Sequence, residues 1–279
     1  MTAAASRAVD REAPLGVFDS GLGGLTVVRA LRETLPAEHI VYLGDTARVP
    51  YGTKGSATVI KYALSCAKHL VARDVKALVI ACNTASAVAP ERLRIELDIP
   101  VLAVIEPGAK AAVEATRTGR IGVLATAGTI ASGAYPRAIA QFSTRADCIG
   151  HAAPLLVPLA EEGWTDGEVP SLIVRRYIQP LAEAHVDVVL LGCTHYPLLR
   201  PVIEEEVRNL IGDHVSVVDS ARATAAYVRA FLLDRSLDRR STLDGGDVHL
   251  IATDVTRSFR EVADRFLGAP FGEVELVDL

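Results

Sequence analysis

The sequence predicts an α/β protein of two similar lobes, each a mostly parallel sheet flanked by helices. Short β-branched segments alternate with longer amphipathic ones, and this alternation is typical of parallel strands joined by helical crossovers. A weak internal repeat aligns residues 75–84 with 186–195 and residues 16–21 with 122–127, without gaps. We expect a pseudo-two-fold axis to relate the lobes and the active site to lie between them, because open α/β sheets bind ligands at the carboxyl ends of their strands.

Eight segments have the length and the apolar composition of buried strands. They are residues 16–20, 40–44, 77–82, 101–104, 121–126, 188–193, 215–219 and 248–253. Between them, apolar residues recur at the spacing of amphipathic helices. The clearest of these predicted helices are residues 25–35, 56–73, 84–97, 129–142, 169–184 and 220–233.

Composition and charge exclude several classes of protein. The chain has 279 residues, of which 50% are hydrophobic and 23% are charged, so it is globular rather than disordered or fibrous. The net charge is −5 with no dense block of Lys or Arg, which gives no electrostatic footprint for nucleic acid. No apolar run reaches the roughly 18–20 residues that span a bilayer, and the first residues show no signal-peptide pattern. We therefore expect a cytoplasmic protein with no membrane association.

Two of the cysteines stand at matched positions of the internal repeat. None of the four cysteines shares a CxxC spacing with another, which indicates free thiols rather than a zinc site or disulfides. Cys82 and Cys193 each end a predicted strand and precede a predicted helix start. Either cysteine alone is typical of an inert core residue, but a helix start favours the thiolate and lowers a thiol pKa. Both are therefore candidate bases or nucleophiles, whereas Cys66 and Cys148 are predicted core residues.

Other polar residues at the strand ends allow two interpretations each. Asp19 opens a glycine-rich segment whose backbone N–H groups could hold an anion, although Thr26 replaces the third glycine of a nucleotide fingerprint. Asp19 itself is either a solvated turn residue or a carboxylate beside a base. His195 is either a core histidine or a group that shares a proton with the neighbouring thiol. Glu161 and Glu162, by spacing alone, only end a helical turn in water.

Four segments together resemble one known family: GVFDSGLGGLTV, GDTARVPYG, ACNTASA and GCTHYPLL. They are similar to the signature segments of the glutamate racemases, within the cofactor-independent aspartate/glutamate racemase superfamily. The similarity runs in order from residue 16 to roughly residue 199 and continues more weakly to the end. It implies a bacterial enzyme that interconverts L-glutamate and D-glutamate with neither cofactor nor metal. It also implies that the D-glutamate serves peptidoglycan synthesis, and thus cell-wall biogenesis and cell shape.

The resemblance implies roles for individual residues. Cys82 and Cys193 match the bases for the two faces of the substrate. Asp19 matches the carboxylate that assists the first thiol, and His195 matches the histidine that assists the second. A further assisting carboxylate falls on Glu161, and the adjacent Glu162 leaves this assignment open. The positions that hold the amino acid correspond to Asp19, Ser20, Tyr51, Gly52, Asn83, Thr84, Thr194 and His195, with Thr126 as an addition.

The resemblance also implies how the chain is divided. In the family the chain returns to the first lobe at its C-terminus, and dimers are common. We therefore expect a first lobe of residues 14–104 with 217–279 and a second lobe of residues 105–216. Residues 1–13 are small and polar, and this composition predicts a flexible extension. The expected partners are the small-molecule substrate and a second copy of the chain.

The two thiols favour racemisation over the alternative functions. Inversion of an α-carbon removes a proton from one face and adds one to the other, so two bases on opposite walls suit it. A racemase for aspartate, hydantoin or another compound stays open. A decarboxylase on the same scaffold needs only one protonating thiol. A two-lobed binding protein is a further alternative, but such a protein needs no reactive thiol and is often exported.

Overall fold

The computed structural model describes residues 10–240 and 245–279. Within these ranges, ten strands form two sheets in which all paired strands are parallel. The strands are β1 (Leu15–Asp19), β2 (Ile40–Gly44), β3 (Ala77–Ile80), β4 (Val101–Ala103), β5 (Arg120–Ala125), β6 (Asp147–Ala152), β7 (Val188–Gly192), β8 (Ser216–Asp219), β9 (Val248–Ala252) and β10 (Val274–Leu276).

Twelve α-helices connect and cover these strands in the described part of the chain. They are α1 (Leu25–Thr34), α2 (Ser56–Val71), α3 (Asn83–Ser86), α4 (Pro90–Glu96), α5 (Ile105–Ala115), α6 (Ala127–Ala131), α7 (Ala134–Phe142), α8 (Leu156–Glu162), α9 (Glu168–Glu183), α10 (Arg200–Leu210), α11 (Ser220–Asp234) and α12 (Phe259–Leu267). Short 3-10 helices lie at Thr46–Arg48, Tyr51–Thr53 and Tyr196–Leu199. Of the helices described, none combines the length and the apolarity that a membrane crossing requires.

The two sheets repeat one strand order. The larger sheet has the order β10-β9-β2-β1-β3-β4, and the smaller sheet has the order β6-β5-β7-β8. The strands β2-β1-β3-β4 therefore correspond one by one to β6-β5-β7-β8. The repeated sequence segments lie on β1 and β5 and on β3 and β7. This correspondence confirms the predicted α/β fold of two similar lobes.

The central strands are buried because helices cover both faces of each sheet. All residues of β1, β3 and β7 are buried, as expected for parallel strands between two helical layers. One apolar cluster joins the larger sheet to α2 and α4, and another joins the smaller sheet to α5 and α7. A third cluster runs through both sheets by way of α1, α9 and α11. The two lobes therefore share part of their core.

Two predicted helices are divided in the structure. The segment 84–97 forms α3 and α4, and the second of these starts at Pro90, which lacks the N–H that a continuous helix needs. The segment 129–142 forms α6 and α7, which are separated at Gly133, where φ is 65°. The sequence patterns also missed β6 and β10, which lie at sheet edges, are partly exposed and lack an apolar run.

One predicted lobe boundary conflicts with the strand pairing. The boundary between residues 216 and 217 falls inside β8, and all four residues of β8 pair with β7 of the smaller sheet. This end of the second lobe therefore moves to Asp219. Residues 1–9 of the predicted extension lie outside the described residues. The other predicted boundaries stay predictions.

Candidate active site

Reactive and polar residues follow the central strands of both sheets. Asp19 ends β1, Cys82 comes two residues after β3, Thr126 follows β5 and Cys193 follows β7. Because β1 pairs with β3 and β5 pairs with β7 in parallel, the residues of each pair lie at the same edge of their sheet. The two edges meet, since the hydroxyl of Thr84 lies 3.0 Å from that of Thr126.

Cys82 caps the start of α3. Its Sγ accepts a hydrogen bond from the N–H of Ala85 at 3.4 Å and donates one to Oγ of Ser20 at 3.5 Å. Burial raises the pKa of Cys82 to about 12, the charge of Asp19 acts in the same direction, and the Ala85 N–H opposes them. The expectation that the helix start lowers this pKa is therefore wrong, because desolvation outweighs one N–H bond. Cys82 is a thiol at neutral pH.

Asp19 interacts through its charge with a residue at each thiol: Cys82 itself and His195, the neighbour of Cys193. Its side chain is fully buried, and its Oδ2 accepts a hydrogen bond from the N–H of Gly21 at 3.0 Å. Burial raises the pKa of Asp19, and the charge of His195 is the strongest effect that opposes the rise. The same carboxylate acts on Cys82. The interpretation of Asp19 as a solvated turn residue is therefore wrong.

The second thiol belongs to a chain of three side chains. Sγ of Cys193 lies 3.8 Å from Nδ1 of His195, and Nε2 of His195 lies 3.1 Å from Oε1 of Glu161. Burial lowers the pKa of His195, but the hydrogen bonds and charges of Cys193 and Glu161 together outweigh it and raise the pKa to about 10. His195 is therefore held as a cation at neutral pH. Of the two adjacent glutamates, Glu161 makes this contact, and Glu162 is exposed.

Hydroxyl groups from both lobes gather near the thiols. Thr84 on α3, Thr126 before α6 and Thr129 on α6 lie within 3.0 to 3.3 Å of one another. Oγ1 of Thr194 lies 3.4 Å from Nδ1 of His195, and Ser20 lies against the first thiol. The structure therefore brings predicted binding residues of both lobes into one region, in which Thr84 and Thr194 are buried. Ser20 and Thr126 are partly exposed there.

The turn at Tyr51–Thr53 reaches the same region through its contact with Thr126. The hydroxyl of Tyr51 donates a hydrogen bond to the buried carboxylate of Asp45, so this hydroxyl is already engaged. Gly52 lies against Thr126, and a Cβ atom at Gly52 would come 2.9 Å from Cβ of that threonine. The turn therefore presents backbone groups, rather than the Tyr51 hydroxyl, to the candidate site.

Several neighbours of the site escaped the sequence analysis. Thr129 follows Thr126 by three residues, which is the spacing of neighbours on a helix. This spacing could have identified Thr129, whereas the internal repeat does not. The hydroxyl of Thr26 donates to the carbonyl of Thr194 at 2.9 Å, and this link between distant segments leaves no local signal. Tyr135 is buried on α7 and contacts Asn83, another link that only the fold reveals.

The arrangement is suited to proton transfer. It provides two thiols in matched positions, a cationic imidazole beside one and a buried carboxylate beside the other. Across residues 10–240 and 245–279, no group of three or more His, Cys, Asp or Glu side chains is placed to hold a metal ion.

Comparison with known proteins decides the family. The sequence model of the Asp/Glu/Hydantoin racemase family matches residues 15–228. The chain belongs to this family. This racemase is 51% identical to a glutamate racemase of Geobacter metallireducens, over 95% of its own chain and 96% of that relative.

Solved structures agree with this assignment. The racemase superposes on a glutamate racemase isoform from Bacillus anthracis with a TM-score of 0.90 and 36% identity, over 96% of this chain and 98% of that one. It superposes on glutamate racemase from Francisella tularensis, determined in complex with D-glutamate, with a TM-score of 0.88 and 34% identity. That match also covers 96% of this chain and 98% of the other. The protein is thus an amino-acid racemase.

Proposed function

We propose that this racemase interconverts L-glutamate and D-glutamate by two-base proton transfer, with Cys82 and Cys193 as the bases. The names of its relatives and the D-glutamate in the Francisella tularensis complex support the choice of substrate. One observation carries the mechanism. The two thiols occupy equivalent positions after β3 and β7, and each has its own acid–base partner.

The protonation states of this structure suit one direction of the reaction. His195 is held as a cation by a pKa of about 10, and its Nδ1 lies 3.8 Å from Sγ of Cys193, so the role of the base in this direction is assigned to Cys193. The pKa of Cys82 is about 12, so this cysteine carries its proton. In this direction Cys193 removes the α-proton from one face, and Cys82 delivers its own proton to the other face. After this turnover Cys82 is the thiolate and Cys193 is the thiol, and the reverse reaction starts from that form of the enzyme.

The pocket has to stabilise the carbanionic character that develops at the α-carbon. Hydroxyl groups near the thiols come from Ser20, Thr84, Thr126 and Thr194. Hydrogen bonds from such groups to the substrate carboxylate, when preorganised, are each worth about 3 kcal/mol in the transition state. These residues are proposed to hold the carboxylates and to keep water from the carbanion.

Substitution of the thiols tests the proposal. The purified protein, without added cofactor, is given pure L-glutamate or pure D-glutamate, and the loss of optical activity is followed. Cys82→Ala and Cys193→Ala are each expected to reduce racemisation by at least about 1,000-fold, because each removes one of two required proton carriers. Cys148→Ala is the matched control: Cys148 lies in the edge strand β6, and its variant should stay within twofold of the original rate.

Full racemisation by either Cys82→Ala or Cys193→Ala would refute the two-thiol mechanism. Failure of the unaltered protein to racemise glutamate, with activity on another enantiomer in a panel of amino acids, would refute the substrate and leave the mechanism open to the same variants. Far-ultraviolet circular dichroism of each variant shows whether the fold is retained.

We also propose that the racemase works as a homodimer in the bacterial cytoplasm and supplies D-glutamate for peptidoglycan. The family resemblance supports this setting. Analytical ultracentrifugation of the purified protein tests the dimer, which a sedimentation pattern of one 29.6 kDa chain would contradict. Depletion in the source bacterium tests the pathway: growth should then depend on added D-glutamate, and growth without it would contradict the role.

A further inference from the structure

Tyr135 links the surroundings of the two thiols. It lies on α7, which packs with the smaller sheet, and only 1% of the residue is exposed. Its hydroxyl accepts a hydrogen bond from Nδ2 of Asn83 at 2.8 Å, and Asn83 directly follows Cys82. Its ring lies against Gly192, where a Cβ atom would come 2.8 Å from Cε2 of the ring, and Gly192 directly precedes Cys193.

The Tyr135 hydroxyl holds the nitrogen end of the Asn83 amide. Nδ2 of Asn83 donates to this hydroxyl at 2.8 Å, and an amide nitrogen can only donate, whereas an amide oxygen can only accept. The bond with Tyr135 therefore does not use the amide oxygen.

The amide oxygen of Asn83 is left as an acceptor. Asn83 is 3% exposed, and its Oδ1 is buried with no hydrogen-bond partner among the residues that the structure describes. Buried polar atoms in native proteins normally have a partner. On glutamate at neutral pH the two carboxylates can only accept hydrogen bonds, so the α-ammonium group is the one donor that suits this oxygen.

We propose that Tyr135 is a positioning residue that orients the amide of Asn83, so that Oδ1 of Asn83 receives the α-ammonium group of glutamate. The proposal rests on the proposed glutamate racemase function and adds the orientation of the substrate. Without the Tyr135 hydroxyl, the amide can turn over and present its nitrogen to the ammonium group, which repels it. Binding of the α-amino group is then weakened, while the two thiols stay in place.

Tyr135→Phe tests this role through the separate effects on KM and kcat. We expect KM for both enantiomers of glutamate to rise by about fivefold to tenfold, in the range of one lost hydrogen bond, with kcat within twofold. Glutarate, which has both carboxylates and no amino group, is used as a competitive inhibitor, and its inhibition constant should change by less than twofold. Tyr177→Phe is the matched control, since the Tyr177 hydroxyl accepts from the N–H of Leu155, and its kinetics should not change.

A purely structural role for Tyr135 would raise KM for glutamate and the inhibition constant for glutarate together, and this result would overturn the proposal. An unchanged KM in Tyr135→Phe would overturn it as well. A wild-type protein that does not racemise glutamate would instead refute the proposed function.

A double-mutant cycle provides the second measurement. If Tyr135 acts through Asn83, Tyr135→Phe should have no further effect on KM in a protein that already carries Asn83→Ala. Additive effects of the two substitutions would show that the hydroxyl acts by another route and would overturn the proposal.

Discussion

Of the two residues that raise the pKa of His195, Glu161 is the exposed one. The imidazole is buried, yet its pKa is raised to about 10 by its hydrogen bonds and charge interactions with Cys193 and Glu161. Glu161 reaches it from α8, with half of its side chain in solvent. A substitution at Glu161 therefore changes the charge on the imidazole without opening the core.

Glu161→Gln should move the alkaline limit of activity to lower pH. In the direction that starts from a Cys193 thiolate, the active form contains cationic His195, which is present below its pKa and is lost as pH rises through about 10. Removal of the Glu161 charge lowers that pKa, so the alkaline limb of kcat/KM shifts downward for one enantiomer. Glu162→Gln alters the exposed neighbour and should leave the profile unchanged. Equal shifts in both variants, or none in Glu161→Gln, would contradict the assignment.

At the scale of elements, the strands were the most predictable feature of the sequence. The segment 40–44 was predicted with the same ends as β2, and the other predicted strands differ from the observed ones by a few residues. Buried parallel strands leave a continuous apolar run, which needs no tertiary information to detect. The edge strand β6 carries Asp147, Gly150 and His151 instead, and its pairing with β5 depends on the fold.

The candidate site was predictable only in part, for a physical reason. Residues at strand ends, such as Cys82 and Cys193, leave a local pattern that the repeat makes visible. The rise in the pKa of Cys82 depends on desolvation by the whole surrounding core, which no local pattern records. The contact between Tyr135 and Asn83 joins residues 52 positions apart, and the sequence gives no sign of it.

Close packing between the Tyr51–Thr53 turn and α6 gives a prediction at this scale. A Cβ atom at Gly52 would lie 2.9 Å from Cβ of Thr126, whereas a Cβ atom at Gly55 would meet nothing within 4 Å. Gly52→Ala should push the turn away from Thr126 and lower kcat/KM by about a hundredfold, as for a 1 Å displacement in an active site. Gly55→Ala should retain the original kcat/KM. Equal activity of the two variants in the same assay would contradict this account.

At the scale of the molecule, a buried ion pair ties distant parts of the chain together. Nζ of Lys76 lies 2.5 Å from Oε2 of Glu38 and also donates to the carbonyls of Arg11 and Leu237. Oε1 of Glu38 accepts from the N–H of Arg239 at 2.7 Å. Burial lowers the pKa of Lys76, and the bond with Glu38 opposes that effect. The pair thus connects the start of β3 to Arg11, before β1, and to residues 237 and 239, after α11.

Lys76→Ala should destabilise the whole molecule. The substitution leaves the buried Glu38 carboxylate without its counter-charge, so the free energy of unfolding should fall by about 3–5 kcal/mol. Lys110→Ala is the control, because Lys110 is an exposed residue that pairs with Glu114 one helical turn away at 3.8 Å, where a loss of about 0.3–0.5 kcal/mol is expected. Urea unfolding measures both values. Similar small losses in the two variants would show that the buried pair contributes little.

In the proposed mechanism, the two-lobed architecture gives each wall of the site its own proton carrier. This claim makes a direct prediction for the first turnover of L-glutamate in deuterium oxide, followed by proton NMR or mass spectrometry. Before equilibrium, the D-glutamate formed should carry deuterium at its α-carbon, because the delivering thiol has exchanged with solvent, while the remaining L-glutamate should keep its α-hydrogen. D-glutamate that retains the original hydrogen would mean that one group both removes and returns the proton, and it would contradict the account.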